Sequence, residues 1–132
     1  MVGAPAIRWV VALKSEAKPI IEELQMLPME KGMDFPIYSD RNRCHWLIIS
    51  GVGQSRSAAA TNYLHRESDA PPWSAWINIG IAGYGYDSYG ALYLVDKIVS
   101  EETSFVAYPG VALATKLPRS ELLTVNKPKV DY

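Results

Sequence analysis

The fold of this chain is decided by the segment IRWVVALKSEAKPIIEELQML, at residues 7–27. The run Ile7 to Leu13 is apolar and short enough to be a strand buried on both faces, as strands of parallel sheets are. Ser15 is a favourable N-cap, Pro19 is tolerated in a first helical turn, and the apolar residues around and beyond it recur at helical spacing. We therefore predict a strand at Ile7 to Leu13 and a helix from about Glu16 to Leu27.

A second strand and helix follow a predicted hairpin. Phe35 to Ser39 is expected to be a short edge strand, and the polar turn at residues 40–43 returns the chain into a buried strand at His45 to Ser50. The turn Gly51-Val52-Gly53 then leads into Gln54 to Arg66, which is rich in alanine and contains no internal Gly or Pro. This segment therefore repeats the order of strand, turn and helix.

Further strands are predicted at Ser74 to Ile81 and at Ala91 to Ser100, where apolar runs are bounded by turn residues. Val111 to Thr115 and Leu122 to Val125 are weaker strand candidates, because prolines interrupt that region. Strands that alternate with helices predict an α/β fold with a mostly parallel sheet covered on both sides. Residues 1–132 are expected to form a single domain, since this length is usual for one hydrophobic core.

Composition excludes several classes of function. Thirteen basic and fourteen acidic residues, with no dense basic run, do not provide the positive surface of a nucleic-acid binder. Apolar runs far shorter than ~20 residues predict no membrane span, and the first five residues do not resemble a signal sequence, so a cytoplasmic protein is expected. A single cysteine and two histidines provide no usual zinc site, and we expect neither metal nor cofactor.

Cys44 and His45 are adjacent and could suggest a thiol nucleophile with its base. Neighbours in an extended strand point to opposite faces, so the two side chains could not share a proton directly. We interpret them as ordinary strand residues.

Ligands of open α/β sheets bind at the carboxyl ends of the strands, which directs attention to the turns at Leu13 to Glu16, Ser50 to Ser55 and Gly80 to Gly85. Glu16 lies in the opening turn of a helix, where the backbone dipole favours a carboxylate that could orient a water molecule. The same position also suits a glutamate that only complements the helix terminus. Position alone leaves both interpretations open.

The two glycine turns are equally open to a binding or a purely structural role. Gly51-Val52-Gly53 begins like a dinucleotide fingerprint, but the third glycine of that pattern is replaced by Arg56. The turn at residues 80–85 exposes backbone groups that could bond the edge of a flat base, and Tyr84, Tyr86 or Tyr89 could flank that base. Glycines and loop aromatics also occur together without any ligand.

Taken together, these segments resemble the nucleoside phosphorylase/nucleosidase superfamily, especially its methylthioadenosine/S-adenosylhomocysteine nucleosidases and futalosine hydrolases. The segment ALKSE matches the family turn that ends in a water-holding glutamate, here Glu16. The family's S-G-I-G-K turn is similar to Ser50 to Gln54, and its N-x-G-x-A-G turn is similar to Asn78 to Gly83. Leu92 to Glu102 resembles the family strand G-D-[IV]-V-[VL]-S-[DE]-E. The resemblance covers nearly all of the chain.

The resemblance implies a nucleoside phosphorylase-like, three-layer α/β sandwich with a mostly parallel or mixed central sheet, self-associating as a homodimer or a larger homo-oligomer. It implies Glu16 as the catalytic residue and a small-molecule nucleoside as the ligand. The implied substrate-binding residues are Leu13, Val52, Gly53, Ile81, Ala82 and Gly83.

Two departures from the family pattern shape the expected activity. Family phosphorylases hold phosphate with an arginine and a serine at positions occupied here by Asn78 and Ile81, so hydrolysis of an N-glycosidic bond is favoured over phosphorolysis. The family domain also continues into a ribose-binding Met-Glu segment and an aspartate that protonates the purine, neither of which matches this chain. One acid/base residue supplies only ~10²–10⁴ in rate. We therefore expect a C-terminally incomplete domain that is inactive alone, or a non-catalytic half-domain that binds a nucleoside or dimerises.

Overall fold

The computed structural model describes residues 4–29, 34–83, 90–110 and 115–125. Within those ranges the chain forms two helices and eight strands, grouped in two compact units, Met1–Ile81 and Ala82–Tyr132. The first unit contains β1 (Ile7–Val11), α1 (Lys14–Glu23), β2 (Leu27–Pro28), β3 (Ile37–Ser39), β4 (His45–Ile49), α2 (Gln54–Glu67) and β5 (Ala75–Asn78). The second contains β6 (Leu94–Ser100), β7 (Val106–Ala107) and β8 (Arg119–Thr124). The predicted α/β class is therefore confirmed.

The first unit is built on a mixed five-stranded sheet with the order β2-β3-β4-β1-β5. The strand β1 lies between β4 and β5 and is parallel to both, whereas β3 is antiparallel to β4 and to β2. The predicted hairpin of β3 and β4 is confirmed. The prediction that residues 35–39 form an edge strand is wrong, because Leu27 and Pro28 pair with β3 on its outer side.

Each helix covers a different set of side chains from the central strands. Successive residues of a strand point to opposite faces of a sheet, so neighbours along β1 and β4 enter different clusters. The cluster on α2 contains Val10, Trp46 and Ile48 with Ala60 and Leu64 of the helix. The cluster on α1 contains Val11, Leu47 and Ala17. Strands with apolar residues on both sides, as predicted for β1 and β4, are thus buried by both helices.

The start of α1 differs from the prediction in a way that matters for Glu16. The helix begins at Lys14, so Leu13 is the N-cap and Ser15 lies inside the first turn rather than capping it. The Leu13 carbonyl accepts the backbone N–H groups of Glu16 and Ala17, each at 3.1 Å. Pro19 lies in the second turn, where its missing N–H removes the partner of one carbonyl without ending the helix.

The end of α1 is earlier than the predicted Leu27. Gln25 adopts a left-handed conformation with φ of +52°. Its N–H donates to the Glu22 carbonyl at 3.2 Å, and the Met26 N–H donates to the Ile21 carbonyl at 2.9 Å. These two bonds form a Schellman motif, which terminates a helix. A glutamine at the left-handed position gave no signal in the sequence, where glycine is the usual residue.

The second unit contains a three-stranded sheet with the order β7-β6-β8. The strand β6 is parallel to β8 and antiparallel to β7, and Lys97 Nζ lies 3.2 Å from Glu121 Oε1 across the β6–β8 pair. The predicted strand at Ala91 to Ser100 starts only at Leu94. The strand predicted at Leu122 to Val125 is part of β8, whereas Thr115 lies in no strand and residues 111–114 are outside the described ranges.

Candidate active site

Three turns meet at one edge of the first unit's sheet. Because β4, β1 and β5 are adjacent and parallel, their carboxyl ends lie side by side. The N–H of Gly51 donates to the Ala12 carbonyl at 3.0 Å, and the N–H of Ile79 donates to the Val10 carbonyl at 3.4 Å. The segments that follow the three strands are therefore held next to one another by backbone bonds.

Glu16 links two of these turns through its carboxylate. Its Oε1 accepts the N–H of Leu13 at 3.0 Å, and its Oε2 accepts the N–H of Ile81 at 2.7 Å. Leu13 has no side-chain acceptor, so the first bond forms only half of a capping box. The second bond joins residues that are 65 positions apart, and it fixes the partly buried carboxylate of Glu16 against the turn after β5.

Gly80 makes the close approach of Glu16 possible. A Cβ atom at this position would lie 3.0 Å from Glu16 Oε2 and 3.8 Å from its Cδ. Real Cβ contacts are rarely that short, so a side chain at residue 80 would push the carboxylate away from the Ile81 N–H. Glycine thus suits this position because of space rather than an unusual φ, since a Cβ here would require the Glu16 carboxylate to shift by a few tenths of an ångström.

The turn after β4 is stabilised by Ser50 and Gly51. Ser50 is buried, and its Oγ donates to the Gly51 carbonyl at 2.8 Å. Gly51 has a φ of +82°, and a Cβ added to it would lie 2.9 Å from Cδ of Arg56. Gly53 has a φ of +111° and is the N-cap of α2. Both glycines therefore serve the turn itself, whatever else they do.

Arg56 is a residue of this edge that sequence reasoning missed. In the sequence it stands at the position of the third glycine of a dinucleotide fingerprint, which indicates no contact. In the structure its side chain packs against Gly51, with Nη1 3.4 Å from the position of an added Cβ. An exposed cation thus lies at the turn after β4, and no pattern in the sequence indicated that contact.

The predicted site residues are brought together only in part. Leu13, Glu16 and Ile81 are joined by the hydrogen bonds of the Glu16 carboxylate. Val52 and Gly53 lie in the neighbouring turn, and Glu16 makes no hydrogen bond to either of them within the described ranges. Val52 and Ile81 are 69% and 86% exposed, so this edge presents apolar side chains to solvent.

The remaining predicted residues belong to the second unit or lie outside the described part of the chain. Ala82 and Gly83 are exposed and are the first two residues of the second unit. Tyr84, Tyr86 and Tyr89, which were expected to flank a base, lie outside the described ranges.

Cys44 and His45 have separate hydrogen-bond partners. His45 Nδ1 accepts the indole N–H of Trp9 at 3.2 Å, and Cys44 Sγ lies 3.8 Å from the Asn42 carbonyl oxygen. Cys44 precedes β4 rather than belonging to it. Across the described ranges no group of three or more His, Cys, Asp or Glu side chains is arranged to hold a metal ion, and no helix is long and apolar enough to cross a membrane.

Comparison with known proteins gives structural matches without sequence matches. No protein-family profile matches the chain, and no curated protein matches it. Among solved structures, the 5′-methylthioadenosine/S-adenosylhomocysteine nucleosidase of Neisseria meningitidis, in complex with methylthio-immucillin-A, is 17% identical with a TM-score of 0.66, over 91% of this chain and 63% of that one. The S-adenosylhomocysteine nucleosidase of Streptococcus pyogenes, in complex with 5-methylthiotubericidin, is 25% identical with a TM-score of 0.62, over 88% and 51%.

A mutant nucleosidase of Helicobacter pylori with 5′-methylthioadenosine in its active site is 14% identical with a TM-score of 0.66, and the match covers 93% of this chain and 64% of that one. The chain therefore spans between about half and two thirds of the length of these three proteins. At such low identities the likeness is one of fold. The chain shares the α/β fold of the matched part of these nucleosidase structures.

Proposed function

We propose that this chain is a nucleosidase-like domain that takes part in the hydrolysis of a purine-type nucleoside. The observation that supports this most is the Glu16 carboxylate, held at 2.7 Å from the Ile81 N–H where the turns after β1 and β5 meet. Carboxylates in such positions are suited to orient a nucleophile. Structural neighbours that carry nucleoside analogues support the same class of ligand.

The hydrogen bonds of Glu16 leave room for a water molecule. An ionised carboxylate has about four lone-pair positions, and the N–H groups of Leu13 and Ile81 occupy two of them. A water that donates to a remaining position would be oriented with its oxygen free to attack the anomeric carbon. The glycosidic C–N bond then breaks, the sugar gains the hydroxyl, Glu16 takes the other proton of the water, and the base leaves with a proton supplied by another group.

We propose water rather than phosphate as the nucleophile. Ile81 has no side-chain donor, and Asn78 is neutral, so neither contributes a charged contact to phosphate. Arg56 packs on the turn after β4 and is a cation that could contact phosphate, so phosphorolysis stays an outcome to be tested. The proposed sugar and base contacts are Leu13, Val52, Gly53, Ile81, Ala82 and Gly83.

We also propose that the 132-residue chain is inactive alone, because Glu16 is a single acid/base group and the proton for the leaving base needs a second one. The proposed complete domain is a three-layer sandwich in a cytoplasmic homo-oligomer. The alternative is a non-catalytic domain that binds a nucleoside or dimerises. The exposed apolar side chains of Leu13, Val52 and Ile81 favour that alternative.

The test compares binding and turnover in the same preparation. We expect calorimetry to show that 5′-methylthioadenosine binds to the chain. No adenine should be released, either with or without added phosphate. Glu16→Ala should weaken binding, whereas Glu23→Ala, an exposed position of the same helix, should not.

Adenine release that disappears in Glu16→Ala would support the site and refute inactivity. Phosphate-dependent release would favour a phosphorylase, and a clean monomer without nucleoside affinity would contradict the nucleoside-binding and dimerising proposals alike.

A further inference from the structure

A surface cavity of about 410 Å³ lies at the amino ends of β4, β1 and β5, opposite the turns of the candidate active site. Its lining comes from the residues before these strands and from the end of α2. Arg8, Trp46 and Ser68 are buried and form its floor, while Trp73 is 60% exposed at its rim. We call it the amino-end cavity, and all its lining residues belong to the first unit.

The guanidinium of Arg8 is held rigidly at the floor but is not fully paired. Its Nε donates to Ser68 Oγ at 2.8 Å and its Nη2 donates to the Ser68 carbonyl at 3.1 Å. Ser68 is fixed in turn, since its Oγ donates to the Leu64 carbonyl at 2.6 Å. Arg8 is only 2% exposed, yet its Nη1 has no hydrogen-bond acceptor. Within the described ranges no carboxylate forms a salt bridge with it.

A buried charge with an unpaired donor is an unfavourable arrangement unless an acceptor compensates it. Burial lowers the pKa of Arg8, but a guanidinium remains charged at neutral pH. The indole of Trp46 lies 5.9 Å from the guanidinium carbon of Arg8, which contributes a cation–π contact but accepts no conventional hydrogen bond. The missing partner is therefore an acceptor oxygen, and an anionic one would also compensate the buried charge.

We propose that the amino-end cavity binds a small carboxylate that pairs with the guanidinium of Arg8, whose Nη1 lacks an acceptor. The lining also contains Arg43, Glu67 and Asp69. Together with Arg8, the cavity is therefore lined by two cationic side chains and two carboxylates. This balance favours a singly charged ligand over phosphate, which carries more charge. The rings of Pro71 and Trp73 offer an apolar wall to the rest of the molecule.

The cavity contains its own reporter. Cys44 lines it, is half-buried, and is the single cysteine of the chain. Alkylation with iodoacetamide therefore reports on this cavity alone. The thiolate is the reacting form. A carboxylate bound at Arg8 should cover Cys44 and slow its alkylation.

The experiment measures the alkylation rate of Cys44 and the melting temperature in acetate, in chloride at equal ionic strength, and in phosphate. Acetate should raise the melting temperature and slow alkylation, by about threefold at twice its Kd, where two thirds of the sites are filled. Chloride should do neither, and phosphate should act more weakly. Arg8→Met should abolish the acetate effect, whereas Arg41→Met, an exposed residue outside the cavity lining, should retain it.

Glu67→Gln provides a second variant, which leaves Arg8, Trp46 and Ser68 at the floor of the amino-end cavity unchanged. Removing this carboxylate from the lining should lower the acetate concentration needed for half-maximal protection of Cys44. Equal effects of acetate and chloride on the unmodified chain, or full acetate protection in Arg8→Met, would overturn the proposal. Phosphate protection equal to that of acetate would overturn the choice of a carboxylate. None of these measurements involves a nucleoside, so the outcome is independent of the proposed hydrolysis.

Discussion

At the scale of single residues, the contact between Gly80 and Glu16 is the most specific feature of the candidate site. Glycine at this position lets the carboxylate reach the Ile81 N–H at 2.7 Å. A Cβ at residue 80 would press on the carboxylate only while Glu16 lies against this position. The two residues should therefore be energetically coupled.

We predict that Gly80→Ala lowers the free energy of unfolding by about 1 kcal/mol, because the added Cβ displaces the carboxylate from a backbone donor. Urea denaturation measures the change. Gly110→Ala is the matched control, since an added Cβ there meets nothing within 4 Å, and it should be neutral or slightly stabilising. In a Glu16→Ala background the cost of Gly80→Ala should largely vanish. An undiminished cost in that background would contradict the coupling.

The position of Glu16 in a first helical turn could be predicted from the sequence, but its contact with residue 81 could not. That contact depends on β5 lying beside β1, which is a property of the sheet and not of either segment. Arg56 was missed for a similar reason, because its packing on Gly51 depends on the path of the turn after β4.

At the scale of secondary structure, the Schellman motif that ends α1 is the least expected element. Gln25 carries a φ of +52°, a conformation that costs residues with a Cβ about 1–2 kcal/mol. Only glycine adopts it without that cost.

We predict that Gln25→Gly raises the free energy of unfolding by about 0.5–1 kcal/mol, because the left-handed cost is removed while glycine loses some chain entropy on folding. Thermal or urea unfolding measures the gain. The matched control is Gln54→Gly, in the first turn of α2, where glycine should give no gain. A loss of stability in Gln25→Gly would show that the Gln25 side chain contributes more than its backbone costs.

Three elements with strong local patterns were predicted well, and the two-residue strands were missed. The strands β1 and β4 and the helix α2 have strong local patterns, and their observed bounds differ from the predicted ones by one or two residues. The two-residue strands β2 and β7 contain no periodic pattern, and they form only because a neighbouring strand offers free backbone groups. The mistaken edge assignment of β3 follows directly from the missed β2.

At the scale of the whole molecule, large apolar side chains remain exposed in both units. The first unit exposes Leu27, Val52 and Ile81, and the second exposes Leu92, Phe105, Tyr108 and Leu123. Extended apolar surface usually marks a site of association. The predicted homo-oligomer would bury side chains of this kind between copies of the chain.

We predict that the chain self-associates with increasing concentration, as measured by sedimentation velocity. The association should persist at high salt, because burial of apolar surface, unlike surface ion pairing, is not screened. Phe105→Ser should weaken it, whereas Ser104→Ala, at the adjacent exposed position, should leave it unchanged. A monomer at all concentrations would exclude both the homo-oligomer and the dimerising alternative.

The central place of β1 in its sheet has a consequence for biosynthesis. Its parallel neighbours begin at His45 and Ala75, so the earliest strand to be translated acquires its last partner only after β5 has been made. Contacts between such distant segments form slowly, and until then the apolar β1 lacks one neighbour. A nascent chain that pauses before Ala75 would thus expose β1 to chaperones, and ribosome-bound intermediates of that length should be the ones most readily captured by them.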